Sequence, residues 1–193
     1  GCASTDRDRL IHQLLIHADF EPLIHGKILH IAPEPALYSW LMNFLKISNQ
    51  YQQGVKYHEG FYYRKHIALM DIQELPYSEN TFDLIICNHV LEHVDDDQKA
   101  MKEIKRTLKI GGKAILQVPW SPLLDETIED TNLNSDQERE AKFGQFDHVR
   151  LYGKDYPELL QRIGFKVDVY DLNRLDISDL LTKKMRLNSK EYI

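Results

Sequence analysis

Cysteine is scarce in this chain: there are two, Cys2 and Cys87, in 193 residues. Two cysteines do not build a disulfide framework, so a reducing, cytoplasmic setting is expected. Cys87 stands inside an apolar run and reads as a small core residue, not a working thiol. Long hydrophobic runs are missing too. None approaches the ~18 residues of a membrane helix, so no membrane association is expected. No signal peptide is visible, and Gly1 in place of Met leaves room for a leader already removed. A basic face is also lacking. The formal net charge is -6. The run Lys102 to Lys109 is broken by Glu103 and apolar residues, as on the wet face of a helix. Nucleic acid is therefore not an expected partner. The chain shows no internal repeat and no low-complexity tract.

What remains is an ordinary globular balance, 42% hydrophobic and 28% charged, at a length that suits one domain over 1-193. Thr5 or Asp6 can cap a first helix carrying Leu10, Ile11, Leu14 and Leu15 on one face. Strand patterns follow at Lys27 to Ala32, Val55 to Glu59, His66 to Asp71, Phe82 to Asn88, Ala114 to Val118 and Lys166 to Leu172. Tyr192 and Ile193 could begin a last strand. Helical patterns lie between them: Pro35 to Leu45, Asp95 to Leu108 with Gly111-Gly112 as its stop, and Asp155 to Ile163 before Gly164. Residues 121-147 are acidic and polar, with a short helical stretch from Gln137 to Phe143. They read as an insertion, or cap, over the edge of the sheet. This alternation predicts an α/β, Rossmann-like, doubly wound sheet. It should be mostly parallel, with six or seven strands and helices on both faces. Ligands bind such sheets beyond the carboxyl ends of the strands, which makes those ends the place to look.

The segment MDIQELPYSENTFDLIICNHVLEHVDDDQKAMKEIKRTLKIGGKAILQVPW resembles the class I S-adenosylmethionine-dependent methyltransferases of the type 11 group. An Asp ends one strand and a Leu-Pro pair follows. Then come a polar turn, a buried strand beginning Phe-Asp, His-Val-Leu-Glu-His, a helix, a Gly-Gly turn and another strand. The likeness is close over 67-120 and loose over 27-172. It implies S-adenosylmethionine as cofactor. In the matching positions, Asp71 would accept from the adenine amine and the Ile72 amide would meet a ring nitrogen. Asn88 and His89 would face the methionine and sulfonium end. Asp71 also suits a plain turn residue, and Asn88 and His89 suit a plain turn closure.

Two stretches depart from that pattern. The family shows an acid and then a glycine-rich turn after the first strand, so that backbone can approach the cofactor. This chain has HIAPEPAL. His30 stands where the acid is expected, Ala32, Glu34 and Ala36 stand where glycines are expected, and Pro33 and Pro35 remove amide donors. A subset of methyltransferase-like sequences shares the Ala-Pro-Glu turn and a later segment similar to FGQFDHVRLYG. This makes Glu34 a candidate for the cofactor's ammonium or ribose, against a simple carboxylate beside a helix start. Glu59 is the acid near the second strand end that could hold the ribose. Tyr62 and Tyr63 either cover the adenosyl group or pack.

The acceptor side is read from Asp147 to Gly153. His148 is the first candidate base and His89 the second, because imidazole titrates near neutrality. Arg150 is a candidate for an acceptor carboxylate or phosphate, with Tyr152 beside it. The structural alternative pairs Asp147 with Arg150. Glu129, Asp130 and Arg139 could shape the pocket. The reading is methyl transfer to oxygen or nitrogen of a small polar molecule by a cytoplasmic monomer or homodimer, with no metal assigned. One alternative is a methyltransferase-like binding domain without catalysis. A minor one is a zinc hydrolase through His89, Glu92 and His93, which match H-x-x-E-H but follow directly on a buried strand. A nicotinamide fold would want G-x-G-x-x-G, which HIAPEPAL lacks.

Overall fold

The computed structural model describes residues 5-16, 20, 22-45, 50-56, 67-130, 132, 133 and 135-170. Glu59, Tyr62, Tyr63 and the strand suggested at Tyr192 lie outside them. A five-stranded sheet forms the centre: β1 (Ile28–Ile31), β2 (Tyr51–Val55), β3 (Ala68–Leu69), β4 (Phe82–Asn88) and β5 (Leu108–Gln117). The spatial order is β3-β2-β1-β4-β5, and every pairing is parallel. This is the doubly wound order, with the switch between β1 and β4. β1 and β4 are central and read as continuous apolar runs because both of their faces are covered.

The covering helices lie on two sides. α1 (Asp6–Leu15) starts from Thr5, which forms a capping box with Asp8. Its Leu10, Ile11, Leu14 and Leu15 join Leu37 and Leu41 of α2 (Pro35–Leu45) over Ile28, Leu84 and Ile86. On the other face, Ala100, Met101 and Ile104 of α3 (Asp97–Thr107) meet Leu29, Ile85 and Cys87. Tyr156 and Leu160 of α5 (Tyr156–Ile163) complete that layer, and Gly164 at φ 98° ends the helix.

Three expectations are corrected. Gly111-Gly112 does not stop α3. The helix ends at Thr107, and β5 runs through the glycine pair. Leu108 still pairs with Phe82, but Lys113 already pairs with Leu84, and Gly111 at φ 82° absorbs the extra residues. Residues 166-170, expected to be strand, belong to no strand pairing among the described residues. The sheet among the described residues therefore has five strands, fewer than the six or seven expected.

The polar excursion after β5 contains β6 (Ile128–Glu129) and α4 (Asp136–Phe143), capped by Ser135 and Glu138. β6 pairs antiparallel with β7 (Arg150–Leu151), so the excursion is tied to the segment where the acceptor residues were sought.

Candidate functional site

Because the strands are parallel, their carboxyl ends share one edge of the sheet. At that edge a hollow of about 770 Å³ is lined by Thr5, Ala32, Glu34, Trp40, Asn88 and His89, among others. That volume lies within the range of ligand pockets. A second hollow, about 740 Å³, runs along β5 between Phe20, Trp120, Leu160 and Tyr170. None of the expected cofactor or acceptor residues lines it, so it does not locate the chemistry.

The turn after β1 keeps the backbone shape of a glycine turn without the glycine. Ala32 has φ 48°, and His89, after β4, has φ 50°. Left-handed backbone is rare in residues with a Cβ and gathers at functional sites. Glu34 folds back over the strand ends. Its Oε2 accepts from His30 Nε2 at 2.9 Å and its Oε1 from Asn88 Nδ2 at 3.1 Å. His30 is fully buried in β1, and its Nδ1 meets the Tyr51 hydroxyl. Burial pushes the Glu34 carboxyl up. The His30 hydrogen bond and charge, with Asn88, pull it down further, so it lies below the ordinary glutamate value. Asn88 Oδ1 is buried and has no hydrogen-bond partner.

Asp71 and Ile72 follow β3, two strands out from β1, and do not line this hollow. The Asp71 carboxylate accepts from the Gln73 amide at 2.8 Å, so it closes a turn. Burial acts against its ionisation, but those Gln73 bonds and the charges of Lys56 and Lys99 hold its carboxyl below the usual value.

The His-Val-Leu-Glu-His segment is not a helix face. Residues Leu91–His93 make one tight turn, and His89 Nδ1 donates to Glu92 Oε1 at 3.1 Å. The zinc-peptidase arrangement of His89 and His93 on consecutive turns of a helix is therefore absent. Glu92 is fully buried. His93 donates from Nδ1 to the Asp147 carbonyl at 3.2 Å and packs edge-on against His148, with ring centroids 4.7 Å apart. His148 is buried and its Nδ1 has no partner. Burial lowers this imidazole below the ordinary histidine value, and His93 adds to that against the opposing pull of Glu92 and Asp147.

Arg150 and Tyr152 are corrected. Arg150 is fully buried and does not line the hollow. It donates to the carbonyls of Leu91, Val94 and Asp95 and to the Glu129 carboxylate. It does not pair with Asp147, whose carboxylate lies 3.2 Å from His93 instead. The Tyr152 hydroxyl donates to Asp97 at 2.7 Å inside the core. Asp130 pairs with Lys142, and Arg139 donates to the Leu133 carbonyl, so both brace the excursion itself. A Glu92–His93–His148 group had no sequence signal, because His148 is far away along the chain.

Residues 43-116 match the family described as "Methyltransferase domain". An uncharacterized protein of Methanocaldococcus jannaschii is 32% identical over 95 residues, 49% of this chain and 43% of that protein. A ubiquinone/menaquinone biosynthesis C-methyltransferase of Idiomarina loihiensis is 41% identical over 67 residues, 33% of this chain and 27% of that one. The chain thus spans less than half the length of either relative. The structure of an S-adenosylmethionine-dependent methyltransferase from Mesorhizobium loti superposes with TM-score 0.58 at 12% identity. The match covers 99% of this chain and 96% of that one. The comparisons bear out the resemblance to the methyltransferases, and the solved structure bears out the Rossmann-like fold. No described helix is long and apolar enough to cross a membrane.

Proposed function

We propose that this chain is an S-adenosylmethionine-dependent methyltransferase acting on oxygen or nitrogen of a small polar acceptor. The observation that carries the reading is the Glu34 carboxylate, bound by both His30 and Asn88 at the switch between β1 and β4, on the wall of a ligand-sized hollow. A charged carboxylate and an unpartnered amide oxygen suit the ammonium and sulfonium of the cofactor. Ala32 and His89 keep the left-handed backbone that a close approach requires. His30 positions Glu34. Asp71 and Ile72, with Glu59, are assigned to the adenosyl half.

When bound, the cofactor supplies a methyl group already activated as a sulfonium. The chain's own part is alignment and exclusion of water. His89, which lines the hollow and donates to Glu92, is assigned to the acceptor side; His148 lies beside Glu92 and His93. The excursion of residues 121-147 serves as the cap over that side. A cytoplasmic enzyme of a small molecule, monomeric or dimeric and without nucleic acid, fits this reading. A related C-methyltransferase makes carbon the competing acceptor atom, and product analysis separates the two.

A second reading has one observation in its favour. Pro33 and Pro35 remove two amides from the first turn, as in a binding domain that has given up catalysis. Calorimetric titration with S-adenosylhomocysteine tests both. Saturable one-to-one binding with a rise in melting temperature is expected. No heat and no shift at millimolar ligand would reject methyl transfer.

A further inference from the structure

We infer that Glu92, His93 and His148 form a binding site for one divalent transition-metal ion of the zinc type, beside the cofactor hollow. Each residue offers one ligand atom, and these atoms lie within 4.8 Å of one another. Ligands around tetrahedral zinc stand ~3.4 Å apart, so the ion would draw them in by roughly an ångström. That is within the reach of side-chain rotation. Two imidazoles and one carboxylate, with a position left open, are the donor set of catalytic zinc centres.

Two independent observations point to a ligand here. First, Glu92 Oε2 and His148 Nδ1 are both buried without any hydrogen-bond partner. A buried carboxylate oxygen and an imidazole nitrogen left bare destabilise the fold unless something binds them. Second, the remaining polar atoms are held as metal ligands usually are. His93 Nδ1 donates to Asp147, which leaves its Nε2 as the nitrogen 3.9 Å from Glu92 Oε1. His89 donates to Glu92 Oε1, which leaves the buried Oε2 for the ion. Such outer contacts set the ring orientation and leave one nitrogen for the ion.

The frame is rigid before any ion arrives. Arg150 ties the carbonyls of Leu91, Val94 and Asp95, and the Val149 amide donates to the Glu92 carbonyl at 2.9 Å. The turn of Glu92 and His93 is thereby locked to the strand that follows His148. The His93 side chain is 29% exposed, so the site opens to solvent on that side. The use of the site rests on the methyl-transfer reading: the open position would take an oxygen of the acceptor, with His148 acting as a ligand and not as a free base.

The test is zinc titration of the full chain after chelator treatment, followed by competition with a chromophoric chelator. One zinc per chain is expected, together with the visible absorption of tetrahedral cobalt when Co2+ replaces it. His148→Asn and the partly exposed His93→Gln should each weaken zinc binding about 100-fold, with circular dichroism unchanged. His25→Asn serves as the control and should leave it intact. Absence of binding at millimolar zinc, or zinc affinity in His93→Gln and His148→Asn equal to that of the parent chain, would overturn the site. S-adenosylhomocysteine binding is measured in parallel. Zinc lost with that binding kept refutes this inference alone, and the reverse refutes methyl transfer alone.

Discussion

His30 and Glu34, four residues apart, are joined Nε2 to Oε2 at 2.9 Å, the first sealed inside β1 and the second on the wall of the hollow. The pair replaces an acid and a glycine in the related pattern. The charge is still delivered to the strand end, but from a residue four positions later.

Glu34 ties stability to pH. Its carboxyl lies below the ordinary value of 4.5 in the folded chain, so its interactions stabilise fully above that value. They are lost as pH falls through the lower folded value. Melting curves from neutral pH to pH ~3 should show the gap between the parent and Glu34→Gln closing with acid. At neutral pH the same variant should bind S-adenosylhomocysteine about tenfold more weakly, ~1.4 kcal/mol. A constant melting gap at all pH values would show that the carboxylate charge does not contribute.

Ala32 carries φ 48° where a glycine would be unstrained. Ala32→Gly should therefore raise stability by about 0.5–1 kcal/mol, the left-handed cost less the extra freedom of glycine in the unfolded chain. Chemical denaturation measures it. A clear loss of stability would mean that the turn is not strained at this residue.

Arg150 is predicted to be structural. Arg150→Ala leaves three carbonyls and Glu129 without their donor and should cost about 3–5 kcal/mol. Arg150→Lys should rescue little, since one ammonium cannot reproduce the planar fork. An Arg150→Ala protein of near-parent stability but weak acceptor binding would restore the substrate role.

Tyr152→Phe removes only the bond to Asp97 and should cost about 1 kcal/mol in denaturation. Cofactor affinity should be unchanged. Altered cofactor affinity would place Tyr152 closer to the cleft than its burial shows.

Most of the fold was legible because its cues are local. Thr5 and Asp8 write a capping box, Pro35 opens α2, Gly164 closes α5, and the run from Phe82 to Asn88 can only be a buried strand. The glycine pair misled because a glycine after a helical pattern suits a helix stop and a strand bulge equally well. Which one forms depends on the partner strand, and Phe82 and Leu84 impose the bulge.

The site divides along the same line. That the ends of β1 and β4 would carry it follows from alternation of strand and helix, and Glu34 and Asn88 are indeed bonded there. Whether Arg150 faces solvent or the core is not a local matter. A guanidinium is costly to bury alone, and it is buried here because a turn 55 or more residues earlier presents three bare carbonyls at the right spacing. The meeting of His148 with Glu92 and His93 has the same origin: long-range packing chose those neighbours, and no spacing in the chain encodes them.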